Sequence, residues 1–232
     1  MLVSLVGEEW YEPLKTILHS SYFKQIGYTI ANLREIKEIY PPKELVFRAF
    51  KETLYSNVKV VMIAMDPYNN DPFAADGLAF SNSRAIPFKI SPSLRIILEE
   101  IDNEYPEWKD SIENGKLGGV DLSRWAKQGV FLYNTALTVE KGNPGSHIKM
   151  WELFTSSVIE ALNKKNDLVW ILLGREARKF KSKITNPSHA VLEAPHPAAE
   201  AYSGGTAGFY GSGIFRKANE ELKARNKSII YW

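Results

Sequence analysis

The 232-residue sequence contains no cysteine. That excludes a disulfide framework, a thiolate nucleophile and zinc sites built on cysteine. No apolar run reaches the roughly 18 residues of a membrane span, so no membrane association is expected. Met1–Gly7 is apolar, but Glu8 and Glu9 follow at once. With no basic start and no long hydrophobic region, the stretch does not read as a secretory leader, and an intracellular, cytoplasmic setting is expected. Low-complexity tracts and fixed-period repeats are missing as well. Nor does one sign of charge dominate. With 29 basic and 27 acidic residues the net charge is +2, too small to name a polyanionic partner.

What remains is ordinary globular material. Hydrophobic residues make up 44% and charged residues 24%, values that fit a chain burying one sizeable core, here a single domain over residues 1–232. Four short apolar runs stand out: Val58–Met65, Val130–Tyr133, Leu168–Leu173 and Ala190–Leu192. Near-continuous apolar strands suit a parallel sheet covered on both faces. Between them lie helical patterns. Ser91 and Pro92 precede Leu94, Ile97, Leu98 and Ile101, a stripe with a capping serine and a proline in the first turn. Trp151–Asn163 carries Phe154, Val158 and Leu162 at i, i+4, i+8, and Pro42–Thr53 and Ile214–Ala224 are further helices. The alternation predicts an α/β fold of three layers, a central four-stranded parallel sheet flanked by helices.

Ligands of such sheets collect beyond the carboxyl ends of the strands. After the first run come Asp66-Pro67-Tyr68-Asn69; after the second, Asn134-Thr135; after the third, Gly174-Arg175; after the fourth, Pro195-His196-Pro197. An acid, an amide, a glycine turn and a histidine are therefore expected at one rim. Taken alone, Asp-Pro-Tyr is an ordinary turn.

Together, the Asp66-Pro67-Tyr68 run, GLAFS at 77–81, WAKQGVFLYNTALTV at 125–139 and APHP at 194–197 resemble the family 1 uracil-DNA glycosylases, in order and over nearly the whole chain. The resemblance implies a glycosylase that flips deoxyuridine out of single- or double-stranded DNA and hydrolyses its N-glycosidic bond, leaving an abasic site. It implies no metal and no organic cofactor. Asp66 corresponds to the acid that orients water and stabilises the oxocarbenium-like sugar. His196, neutral, corresponds to the donor to uracil O2. Phe80 is the stacking ring, Asn134 the reader of the uracil edge, and Tyr68 the barrier to a thymine methyl. Met65 would offer its backbone N–H to uracil O2. Ser91 and Ser93 correspond to a loop gripping the DNA backbone.

Several positions depart from the family pattern. Met65 stands where glutamine is usual, and Asn69 where a histidine helps hold the attacking water. The loop Asn70–Asp76 is one residue longer and brings Asp71 and Asp76 near the expected path of the phosphates. In the last motif Ala198 replaces a serine, and Glu200 takes the place of the leucine that wedges into the emptied stack. A carboxylate is a poor wedge. Tyr202 is expected to fill the gap, and Arg175, replacing a phosphate-contacting serine, to restore attraction for DNA. The segment Ser203–Gly208 looks about three residues longer than usual and is rich in glycine.

These departures keep two alternatives open: a glycosylase for a modified base, and a non-catalytic DNA-binding or polymerase-associated subunit on the same fold. A monomer is expected; an inhibitor protein or replication partner is left undecided.

Overall fold

The computed structural model describes residues 2–71, 73–83, 90–108 and 119–232. Its N-terminal part is helical. The helices α1 (Leu2–Val6), α2 (Glu8–Leu18) and α3 (Ser21–Ile36) precede a two-residue strand β1 (Ile39–Tyr40) and a short α4 (Arg48–Glu52). The first three lie outside the expected elements. Their signals are nonetheless visible: α2 buries Trp10, Leu14 and Leu18 along one face while continuing through Pro13. At the start of α3, the Ser20 hydroxyl caps the helix by accepting the Phe23 N–H at 3.1 Å.

The four apolar runs become β2 (Val60–Ala64), β3 (Val130–Asn134), β5 (Val169–Leu173) and β6 (Ala190–Ala194), all parallel, in the order β3-β2-β5-β6. A separate β4 (Val139–Glu140) pairs antiparallel with β1. Every residue of β2, β3 and β5 is buried; of the two edge strands, β3 and β6, only β6 turns a residue, Glu193, to solvent.

The remaining helices are α5 (Pro92–Glu104), α6 (Ser123–Lys127), α7 (Ile148–Asn163), α8 (Gly174–Arg178), α9 (Ala198–Ser203) and α10 (Ile214–Ala224). α10 has the expected bounds. α7 begins three residues before the expected Trp151 and ends at the expected Asn163. Of the expected Pro42–Thr53 helix, only a 3-10 turn at Lys43–Leu45 and α4 form.

One continuous apolar core joins sheet and helices. Trp10 stacks on Phe131 with ring centroids 4.6 Å apart, and Phe50 stands edge-on to Phe131 at 5.2 Å. At the C-terminus, Trp232 is enclosed by Trp125 (5.3 Å) and Phe215 (5.1 Å). Removing such a ring costs about 3–5 kcal/mol, a large share of a domain's stability.

The register decides what the sheet presents. Ala64 pairs with Asn134, and Leu173 with Ala194. The chain segments that leave β2, β3, β5 and β6 therefore emerge along one edge, with Asp66, Asn134, Gly174 and His196 on it.

Candidate active site

At that edge lies a cleft of about 870 Å³, lined by Met65, Asp66, Tyr68, Asn69, Phe80, Ser91, Ser93, Asn134, His196, Ala198 and Tyr202 among others. Eleven of the thirteen expected site residues thus share one cavity. Arg175 and Glu200 are absent from its lining.

Asp66 is carried two residues beyond β2 and is half-buried. Its Oδ2 accepts the Gly145 N–H at 2.6 Å. Burial pushes its carboxyl above the ordinary carboxylate value, and the Gly145 bond opposes the shift. The loop beneath is tied to the next strand: the Met65 carbonyl accepts the Thr135 hydroxyl (2.8 Å) and the Ala136 N–H (2.9 Å). One carboxylate oxygen is so oriented by backbone, and the mount cannot swing.

Asn134 ends β3 with only 6% exposure. Its side-chain Oδ1 is buried without a hydrogen-bond partner among the described residues. A buried acceptor left unmet costs roughly 1–3 kcal/mol, so the site holds an unspent preference for a donor.

Phe80 is buried, and its backbone lies in the left-handed region at φ 66°. A bulky residue persists there only when its surroundings force it. Asp76 supplies the force. Fully buried, its carboxylate accepts the Leu78 N–H (3.0 Å), the Ser81 hydroxyl (2.6 Å) and the Ser83 N–H (2.9 Å), and it pairs with Arg48 at 3.0 Å. The expectation that Asp76 lies near the DNA phosphates is therefore corrected: this acid is the internal staple of the turn that sets Phe80. Gly77 belongs to the same turn, at φ 90°, where a Cβ would lie 2.0 Å from the Leu45 carbonyl oxygen.

The Tyr68 hydroxyl donates to the Phe80 carbonyl at 3.0 Å, which locks the two rings together. Burial drives this phenol's pKa upward, against the Ser91 side chain and the Leu94 N–H.

His196 follows β6. Its Nδ1 accepts the Ala198 N–H at 3.1 Å. The ring's proton in the neutral form must then sit on Nε2, the only nitrogen left to donate. Burial lowers the imidazole's pKa, which favours that neutral form. The ring lies 6.1 Å from that of Phe80. Gly174, at φ 84°, gives it room, since a Cβ there would come within 2.7 Å of the His196 Cβ.

The expected DNA-contacting residues separate into three groups. Ser91 is the N-cap of α5, but its hydroxyl makes no capping bond; its N–H is instead held by Asn82 Oδ1 at 2.8 Å. Ser93 is buried at the cleft wall. Ala198 reaches the lining but gives its N–H to His196. Arg175 is exposed on α8 and pairs with Glu176 at 3.5 Å.

Glu200 requires a correction. Its place in the last motif implies a residue facing DNA; instead it is 3% exposed and turned into the protein. Its carboxylate accepts N–H groups of Ala207, Phe209 and Tyr210. Tyr202, by contrast, is 91% exposed at the cleft rim. Reading residue types alone missed Gly145, Asp76 and Gly174 as supports. Only Gly174 left a trace, as a glycine directly after a strand.

Chemically, the cleft combines a carboxylate fixed at one oxygen, an unmet amide acceptor, an aromatic wall and an Nε2–H donor. The model for the Uracil DNA glycosylase superfamily matches residues 50–223. The chain is 40% identical over 226 residues to a uracil-DNA glycosylase of Streptococcus thermophilus, covering 96% of this chain and 97% of that protein. It is 41% identical over 229 residues to a uracil-DNA glycosylase of Borreliella burgdorferi, covering 97% of each. Among solved structures, mimivirus uracil-DNA glycosylase superposes with a TM-score of 0.84 at 25% identity, over 100% of this chain and 89% of that one.

Proposed function

The chain belongs to the uracil DNA glycosylase superfamily and excises uracil from DNA; on that premise we propose that Asp66 and His196 carry the hydrolysis, with Asn134, Phe80 and Tyr68 selecting the base. The flipped uracil lies against Phe80. Asn134 donates from its amide to O4 and accepts N3–H at Oδ1. Cytosine presents the reverse polarity and fails both contacts. Tyr68, held by its bond to the Phe80 carbonyl, occupies the space a thymine methyl needs.

As the bond between N1 and C1′ breaks, its electron pair leaves with uracil, and O2 becomes anionic. The Nε2–H of His196 and the Met65 N–H meet that oxygen; preorganised donors of this kind contribute about 3–4 kcal/mol each. Asp66 faces the sugar. Its carboxylate balances the positive charge at C1′ and directs a water, aided by Asn69, to that carbon. The water's oxygen forms the new bond and its proton passes to solvent. Ser91, Ser93 and Arg175 attract the phosphates. Tyr202 enters the gap that the extruded base leaves in a duplex.

The observation that carries this reading is the buried, unpartnered Oδ1 of Asn134, in the same cleft as Asp66 and His196. A non-catalytic DNA-binding subunit needs neither this acceptor nor the carboxylate–imidazole pair, and a larger modified base is opposed by Tyr68. The chain acts as a monomeric single domain inside the cell. Among the described residues no helix is long and apolar enough to cross a membrane. An inhibitor protein is a further partner class, since a variant of the mimivirus enzyme is solved in complex with UGI. The test is incubation with a single-stranded oligonucleotide bearing one uracil, followed by alkali. Cleavage at the uracil is expected; intact strands at high enzyme concentration overturn the reading.

A further inference from the structure

Between α9 and α10 the chain runs from Gly204 to Gly213 without helix or strand. Buried carboxylates take up many of the backbone donors of this segment and of the first turn of α10. Glu200 accepts the N–H groups of Ala207 (2.9 Å), Phe209 (2.5 Å) and Tyr210 (3.1 Å). Glu100 accepts those of Gly211 (2.9 Å) and Gly213 (3.3 Å), and Glu104 those of Phe215 (3.2 Å) and Arg216. Among the described residues none of the three carboxylates has an ion-pair partner within 4.0 Å; backbone N–H groups are their main donors, with the Ser203 hydroxyl 3.4 Å from Glu200 and the Ser212 hydroxyl 3.5 Å from Glu100.

Glu200 differs from the other two because it lies on α9 itself. Successive helical residues are rotated by about 100°, so side chains two apart point in nearly opposite directions. Pulling Glu200 inward therefore turns Tyr202 outward. The helix ends immediately after, at Gly204 in the left-handed conformation (φ 65°), and the Gly205 N–H closes on the Glu200 carbonyl at 3.0 Å. Both ends of the Glu200 residue, carbonyl and carboxylate, thus clamp the segment that follows Tyr202.

We infer that Glu200 is a positioning residue for duplex substrates: its carboxylate gathers the Ala207–Tyr210 backbone, fixes the rotation of α9 and holds Tyr202 at the mouth of the cleft. This rests on the role of Tyr202 proposed above. The position usually given to the wedge has become the anchor, and the wedge has moved two residues along the helix. A single strand has no stack to refill, so it does not need this device.

The test measures uracil release by the whole protein from matched single- and double-stranded oligonucleotides. Glu200→Gln keeps the size of the side chain but weakens its hold on three N–H donors. It is expected to lower kcat/KM on duplex DNA by about tenfold or more, the scale of a misplaced contact, with less than about twofold change on single strands. Tyr202→Ala should lower duplex excision similarly, and Glu200→Gln added to it should lower it no further, because one device is removed once. Ser203→Ala deletes only the hydroxyl 3.4 Å from the Glu200 carboxylate and remains available if Glu200→Gln does not fold; it should show a smaller loss, again confined to the duplex. Equal losses on both substrates, no loss on either, or additive losses in the double variant overturn the inference. A wild type that cuts neither substrate is a different result, which removes the functional reading beneath.

Discussion

The two halves of the cleft hold their working groups by different means. On the β2–β3 side, Asp66 and Asn134 ride on the tips of buried, paired strands, and Phe80 is forced into place by the stapled Asp76 turn. On the β6 side, His196 is oriented by its neighbour's backbone, and beyond it the chain leaves regular structure and hangs from the carboxylates of Glu200, Glu100 and Glu104. The first half is held by the paired strands of the sheet. The second is held by hydrogen bonds from backbone N–H groups to three buried carboxyl groups. On the proposed reading, the acid and the base-reading amide sit on the first half; the imidazole and the duplex-facing Tyr202 sit on the second.

The largest expected effect breaks the strand-borne half. Asp66→Asn should lower kcat on a single-stranded substrate by about 1000-fold or more, because it removes the charge that balances the sugar, while DNA affinity stays near wild type. The same substitution should raise stability at neutral pH. The folded-state pKa of Asp66 is raised by burial, so its stability contribution is full below the ordinary carboxylate pKa and is lost as pH rises through the folded value. The Tm of Asp66→Asn should therefore exceed that of wild type by more at pH 8 than at pH 4.

Next comes Asn134→Ala, expected to cost about 100-fold on both single- and double-stranded substrates, since reading the base does not depend on the stack. A loss on duplex DNA only would contradict the division between the halves. Gly174→Ala tests the seam between them. Its Cβ would press on the His196 Cβ at 2.7 Å and push the imidazole off its mark, at a cost of about tenfold to 100-fold. In a His196→Ala background the same change should cost much less.

The smallest effect concerns the carboxylate-hung segment. Burial pushes the Glu104 carboxyl up to about 7, against the Arg216 and Phe215 N–H groups that favour its charge. A raised acid favours the folded state most when protonated, so this contribution is complete below the ordinary 4.5 and is lost as pH rises through about 7. Melting curves from pH 4 to 8 should show a decline that is shallower in Glu104→Gln than in wild type.

Much of this architecture was legible in the residues. The four apolar runs became the four strands with small shifts at their ends, since full burial on both faces leaves a continuous signature. The polar residues that end them marked the site, because a parallel sheet delivers strand ends to one edge. The supports were less visible. Gly145 is 79 residues from Asp66, and nothing local marks its N–H as the one that orients the acid. Asp76 and Glu200 read as surface acids because carboxylates are seldom fully buried; only the folded chain reveals the N–H groups that receive both and the Arg48 guanidinium that pairs with Asp76. The N-terminal helices have a weaker signature for a simpler reason. Pro13 interrupts the visible pattern of α2, although the Trp10, Leu14 and Leu18 stripe was present.

The central claim is that a carboxylate, an amide and an imidazole surround one extruded pyrimidine. Free uracil titrated into the protein, with the Asn134 side-chain amide and the His196 ring nitrogens followed by nitrogen-15 NMR, tests it most directly. Both sets of resonances should move together with a single Kd, and Asn134→Ala should weaken the response of both. Movement of one set without the other, or two different Kd values, would contradict it.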